Sequence, residues 1–172
     1  RVTRVLADVA AAEIMPRWRN LAHGDVREKT GPNDLVTVAD EAAERALTAR
    51  LPALLPGSVV LGEEAVERDP GLLRLLAERR PVWIVDPVDG TKNFAEGNDR
   101  FGVMVALVDQ DATLAAAIYE PVSGRVLLAE RGAGAVVVIH HQQQQQACLE
   151  SRIRKSRADC CLCLCECVCV CV

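Results

Sequence analysis

Aromatic residues make up only 3% of this 172-residue chain, so alanine, leucine and valine must fill whatever core it forms. Positive charge is not in excess either. Twenty-four acidic side chains stand against 20 basic ones, a formal net charge of −4. That balance leaves no basic footprint for a nucleic-acid backbone. No apolar run approaches the ~18 residues that a membrane-spanning helix needs, so no membrane partner is expected. Cysteine is missing from residues 1–147, and all eight cysteines fall at Cys148 or beyond. A cysteine-free body fits a reducing compartment, and a cytoplasmic location is the expectation. Neither a signal-peptide pattern nor a methionine opens the chain, so a trimmed or partial start is expected as well.

What is present is strong periodicity. Val2, Val5, Leu6, Val9, Ile14 and Trp18 recur at helical spacing, which predicts an amphipathic helix over 2–22, kinked at Pro16 and ended by His23–Gly24. His23 then reads as a helix-end cation. Short extended pieces at 25–30 and 35–38 flank a turn at Gly31–Asp34. A second helix is expected over 41–55, with Ala42, Ala46, Leu47 and Leu51 inward and Pro56–Gly57 as its stop. Asp69 opens a short surface helix over 70–80. Apolar runs at 58–61, 82–85, 101–108, 113–119, 125–130 and 135–139 read as strands, 101–130 as a three-strand meander joined by polar turns and 135–139 as one more strand after Gly132-Ala133-Gly134. These elements predict an α+β domain over 1–139, with two N-terminal helices packed on one face of a mainly antiparallel sheet.

The chemistry gathers at Pro81–Phe94, PVWIVDPVDGTKNF. An apolar strand there ends in two carboxylates, Asp86 and Asp89. Pro87 fixes its own φ and holds Asp86 extended, so Asp89 can fold back and the Val88 carbonyl can turn in between them. Three hard oxygens from four residues begin a Mg2+ shell, while Gly90 and Thr91 offer amides to an anion if a helical turn starts there. The same residues also read as an ordinary hairpin turn. Upstream, Gly62-Glu63-Glu64 follows a second apolar strand. Alone it is a solvated loop; beside Asp86 and Asp89 it reads as a second arm of one cation site. Asp40 reads either as a helix N-cap or as a carboxylate that holds a further cation through water.

Taken together, Lys29…Asp34-Leu35-Val36-Thr37…Asp40, Gly62-Glu63-Glu64 and Trp83–Phe94 resemble the inositol monophosphatase family over about 1–135. The resemblance implies a sugar-phosphatase-like fold and a Mg2+-dependent, lithium-sensitive phosphomonoesterase. It implies that Glu63, Asp86 and the Val88 carbonyl bind one metal, and Asp86 with Asp89 a second. Glu63 and Thr91 would activate the attacking water, with Asp40 in support. Asp89, Gly90 and Thr91 would meet the substrate phosphate. The substrate class is a small phosphate monoester, inositol monophosphate or a related sugar phosphate, with histidinol phosphate and nucleotide 3'-phosphates as alternatives. A homodimer is left open.

The chain departs from the family after its first half. A Trp-Asp segment that completes the second metal site belongs to the family's C-terminal α/β half. Here the two tryptophans are followed by Arg19 and Ile84, so that half is expected to be missing and activity to be impaired. From His140 the composition changes to histidine, five glutamines, a basic patch and alternating cysteines. Residues 140–172 read as a disordered low-complexity tail or a reading-frame artefact, the cysteine and glutamine runs being what dinucleotide and CAG repeats encode. Two other readings stand beside the enzyme: a non-catalytic truncated remnant that associates through exposed edges, and a thiolate metal-binding tail.

Overall fold

The computed structural model describes residues 1–31, 34–110, 112–139 and 151–152. The chain begins with helix α1, Val2–Val9, whose Val5, Leu6 and Val9 are buried. From Ala10 to Ile14 the helix widens to π geometry, with Met15 N–H donating to the Ala10 carbonyl at 2.9 Å. Helical structure stops there instead of running through to residue 22. Pro16 has no N–H to donate and its ring crowds the turn before it, so the helix ends where a kink was expected. His23 therefore sits at no helix end. Arg19, at φ 59°, turns the chain, and the Trp18 indole N–H donates to the Asn98 carbonyl at 3.0 Å.

Strands β1 (Val26–Gly31) and β2 (Asp34–Thr37) form an antiparallel hairpin. Helix α2 follows at Val38–Arg50, three residues earlier than the periodicity predicts. Thr37 is its N-cap and Asp40 the N3 partner of a capping box, so Asp40 is not itself the cap. The far end also differs, because Pro52 breaks the leucine stripe and Leu51–Ala53 tightens into a 3-10 turn.

Strand β3 (Val59–Gly62) leads directly into helix α3 (Glu63–Arg68) and a 3-10 stretch, Pro70–Ala77, capped by Asp69. Then come β4 (Val82–Asp89), helix α4 (Thr91–Ala95), β5 (Gly102–Asp109), β6 (Ala112–Glu120), β7 (Arg125–Glu130) and β8 (Gly134–Ile139). A two-residue strand β9, Ser151–Arg152, pairs with Val137 and Val136. The rest of the 140–172 segment, with its cysteines and glutamines, lies outside the described residues.

Among the described residues seven strands form one sheet in the order β3-β4-β5-β6-β7-β8-β9, with β3–β4 parallel and every other pair antiparallel. The parallel pair needs a crossover, which α3 and the 3-10 stretch supply. The sheet is thus covered on two sides, where the pattern predicted helices on one. Trp83, Val85, Val103 and Val105 share one cluster with Leu6 of α1, Ile14 of the π segment, and Ala43 and Leu47 of α2. Val82, Ile84, Met104 and Ala106 face the other way, against Val66 of α3 and Leu72 and Leu75 of the 3-10 stretch. Strand alternation makes this possible, since successive side chains of β4 enter opposite faces. Among the described residues no helix is long and apolar enough to cross a membrane.

Candidate metal and phosphate site

Parallel pairing places the acids. Gly62 lies opposite Val85, so Glu63 and Asp86 leave neighbouring strands side by side at the same end. Asp86 is buried in β4, at 2% exposure. After it the pairing with β5 slips, Asp86 lying opposite Met104 and Asp89 opposite Gly102. This bulge absorbs Pro87 and Val88 and carries Asp89 to the last position of the strand. Asp89 opens to solvent on one side, while the desolvation of its other side raises its pKa above the usual carboxylate value.

Gly90 has φ +83°, and a Cβ there would come within 2.8 Å of the Arg100 carbonyl. Glycine is required at this turn on both counts. It serves as N-cap residue of α4, so a helical turn begins at Thr91, the condition on which those amides could face an anion. The Thr91 hydroxyl lies 3.0 Å from Asp40 Oδ1 and 2.9 Å from the Val88 carbonyl. Asp40 Oδ2 in turn accepts from the Thr37 amide at 2.9 Å and the Thr37 hydroxyl at 2.5 Å. Burial pushes the Asp40 carboxyl up to about 6, against the pull of these hydrogen bonds. One helix start and one strand end are therefore joined through a single buried acid.

A second cluster was not foreseen. The Lys29 ammonium, on β1, lies 3.0 Å from Glu63 Oε1, 2.8 Å from Glu64 Oε1 and 3.0 Å from Glu67 Oε2. Its side chain is 6% exposed and that of Glu64 4%. Burial works to lower the Lys29 pKa, but the hydrogen bonds to Glu64 and Glu63 outweigh it and hold the group well above its ordinary value. Glu64 is pushed up to about 7 by burial, with Lys29 pulling the other way. Sequence quoted Lys29 as part of a motif without a partner. Three acids at 63, 64 and 67 spaced along one helical turn were the available signal.

The side chains do not all converge. Among the described residues no three acidic, histidine or cysteine side chains meet closely enough to hold a metal as they stand. Glu63 has turned onto Lys29, which is the low-energy choice for a carboxylate beside Asp86. The donor set nevertheless fits a hard divalent cation. Glu63, Asp86, Asp89 and the Val88 carbonyl are all oxygen donors, and burial costs Asp86 and Asp89 energy that a cation would return. Beside Asp89 lies a hollow of about 540 Å³ bordered by Asp99, Arg100, Phe101, Glu120 and Ser123, a size suited to a small ester.

A family model described as the inositol monophosphatase family matches residues 1–165. An inositol-1-monophosphatase of Mycobacterium leprae is 42% identical over 112 residues, which is 65% of this chain and 38% of that protein. A protein named Nus factor SuhB of Vibrio cholerae is 34% identical over 105 residues, 61% of this chain and 37% of its own length. Among solved structures, the IMPase of Thermotoga maritima superposes with a TM-score of 0.69 at 26% identity, covering 91% of this chain and 53% of that one. SuhB of Mycobacterium tuberculosis gives 0.57 at 28%, covering 78% and 45%. The chain thus spans about half the length of these relatives, or less.

Proposed function

The chain belongs to the inositol monophosphatase family, and from that footing we propose that it serves the Mg2+-dependent hydrolysis of a small phosphate monoester, inositol monophosphate or a related sugar phosphate. One observation carries the reading. Glu63 and Asp86 emerge abreast from parallel strands, next to a helix start whose Thr91 hydroxyl is held by buried Asp40.

Glu63, Asp86, Asp89 and the Val88 carbonyl would hold Mg2+. When bound, Mg2+ supplies a polarised water and neutralises charge on the phosphate oxygens. The chain's own residues do the rest. Gly90 would let the backbone approach the ester closely, and the first amides of α4 would donate to its anionic oxygens. Thr91 would orient the attacking water, its oxygen taking the water's proton as its own hydroxyl proton passes to Asp40 Oδ1. A carboxyl with pKa about 6 accepts that proton more readily than an exposed aspartate would. Lys29 must let Glu63 go before it can turn toward Asp86.

The test is release of inorganic phosphate from inositol 1-phosphate with and without Mg2+, in the parent chain and in Asp86→Ala. Mg2+-dependent turnover that Asp86→Ala lowers at least about 100-fold supports the reading. Equal rates in the two chains sink it.

A further inference from the structure

Helix α2 carries two buried acids one turn apart, Asp40 at 1% exposure and Glu44 at 4%. Spaced by four residues, they lie on the same face of the helix. Asp40 is accounted for by Thr91. Glu44 is not, and the motifs said nothing of it. Its Oε2 accepts the Glu64 backbone N–H at 2.7 Å, while its Oε1 lies 3.4 Å from the guanidinium of Arg68, an exposed and therefore weak partner.

That hydrogen bond replaces a missing cap. Helix α3 starts at Glu63, and its N-cap residue is Gly62, which has no side chain to satisfy the first amides. Glu44 reaches across from α2 to do so. Gly62 has φ −97°, so no backbone freedom demands a glycine there. Space explains it instead: a Cβ on Gly62 would lie 2.3 Å from both Cδ and Oε2 of Glu44, so the carboxylate would have to shift from its present place. Gly62 and Glu44 are a matched pair, one making room for the other.

The consequence reaches the site. Asp40 fixes where Thr91 leaves its turn, and Glu44 fixes where α3 begins, hence where Glu63 emerges. Four residues of helix, about 6 Å along the axis, separate the two anchors. We propose that Glu44 is a positioning residue: capping α3 from α2, it sets Glu63 at a fixed remove from Thr91, so that one rigid helical turn gauges the distance between the cation arm and the hydroxyl arm of the site. The proposal rests on the phosphatase reading above.

Two measurements on the whole chain test it: Mg2+ affinity by titration calorimetry, and exchange of the Glu64 amide proton by NMR. Glu44→Ala should weaken Mg2+ binding about 10- to 100-fold and speed Glu64 amide exchange. Gly62→Ala, which leaves the acid intact but displaces it, should do the same, and it stands in if Glu44→Ala does not fold. Glu44→Gln keeps an oxygen that can accept the same N–H, and should return Mg2+ affinity to within about threefold of the parent. If Glu44→Ala melts earlier yet binds Mg2+ within about twofold of the parent, Glu44 is a structural cap only and the proposal fails alone. Failure of Glu44→Gln to rescue would also overturn it, since the hydrogen bond would then not be what matters. A parent chain that binds no Mg2+ removes the phosphatase reading itself, and this proposal with it.

Discussion

Strands β4 and β8 each carry three valines, yet they live under different conditions. The first seven residues of β4 are buried, and its side chains enter both apolar clusters. In β8 no residue is fully buried; Val136 borders an apolar hollow of about 300 Å³, and Ile139 is 49% exposed. Charge follows the same division. Every buried acidic side chain among the described residues (Asp40, Glu44, Glu64 and Asp86) precedes β5. None lies on the outer meander. The well-packed end of the sheet is thus the end that tolerates desolvated acids, because the surrounding apolar contacts offset their cost. The outermost of the long strands, β8, adds regular pairing but only partly buried side chains.

The division can be broken most sharply at Lys29. Lys29→Met removes the ammonium and leaves Glu64 and Glu63 beside each other without it. Breaking a buried ion pair from one side costs about 3–5 kcal/mol. Urea unfolding of parent and variant measures it. A loss below about 1 kcal/mol would mean the cluster behaves as a solvated surface group, and the contrast between the two ends would collapse.

A somewhat smaller effect is expected from pH. The Asp40 carboxyl sits at about 6 in the folded chain against 3.8 ordinarily, so the folded state holds its proton after the unfolded state has lost it. The stabilisation this gives is complete below about pH 4 and is lost as pH rises to about 6, a swing of roughly 3 kcal/mol. Other carboxylates titrate in the same range. The quantity to follow is therefore the difference between parent and Asp40→Asn, which should change across that window and be flat above it. A constant difference would place Asp40 in a better-solvated setting than its burial indicates.

How much of this was legible depends on whether the signal is local. The strands of the meander were read within a residue or two of their bounds, because alternation and the Pro121–Gly124 turn are both short-range. Family and mixed fold were likewise readable from Asp86-Pro87-Val88-Asp89 and its upstream partners. Helix starts were harder. Thr37 and Asp40 are both good cap residues three apart, and only the folded chain shows that the first caps and the second answers from N3. Pro52 was hidden inside a leucine stripe that looked continuous. Lys29 and Glu44 were out of reach for a different reason. Each acts on residues 20 or more positions away, and a solitary lysine or glutamate on a helical or extended pattern carries no mark of its partner.

The most direct comparison applies one substitution at both ends. Val85 is fully buried at the centre of β4, between α2 and the neighbouring strands. Val85→Ala removes two methyl groups into a site that cannot collapse, since β3 and β5 hold the backbone on either side. The transfer and cavity contributions together come to about 2–3 kcal/mol. Val137 pairs with Leu127 and Ser151 but packs within neither buried cluster, so its methyl groups already meet water in part. Val137→Ala should then cost less than about 1 kcal/mol, most of it β-propensity. Denaturant midpoints of the two variants measure the ratio. Equal losses would show that β8 is covered in solution by something that reaches its open face, and the outer meander would have to be counted as core.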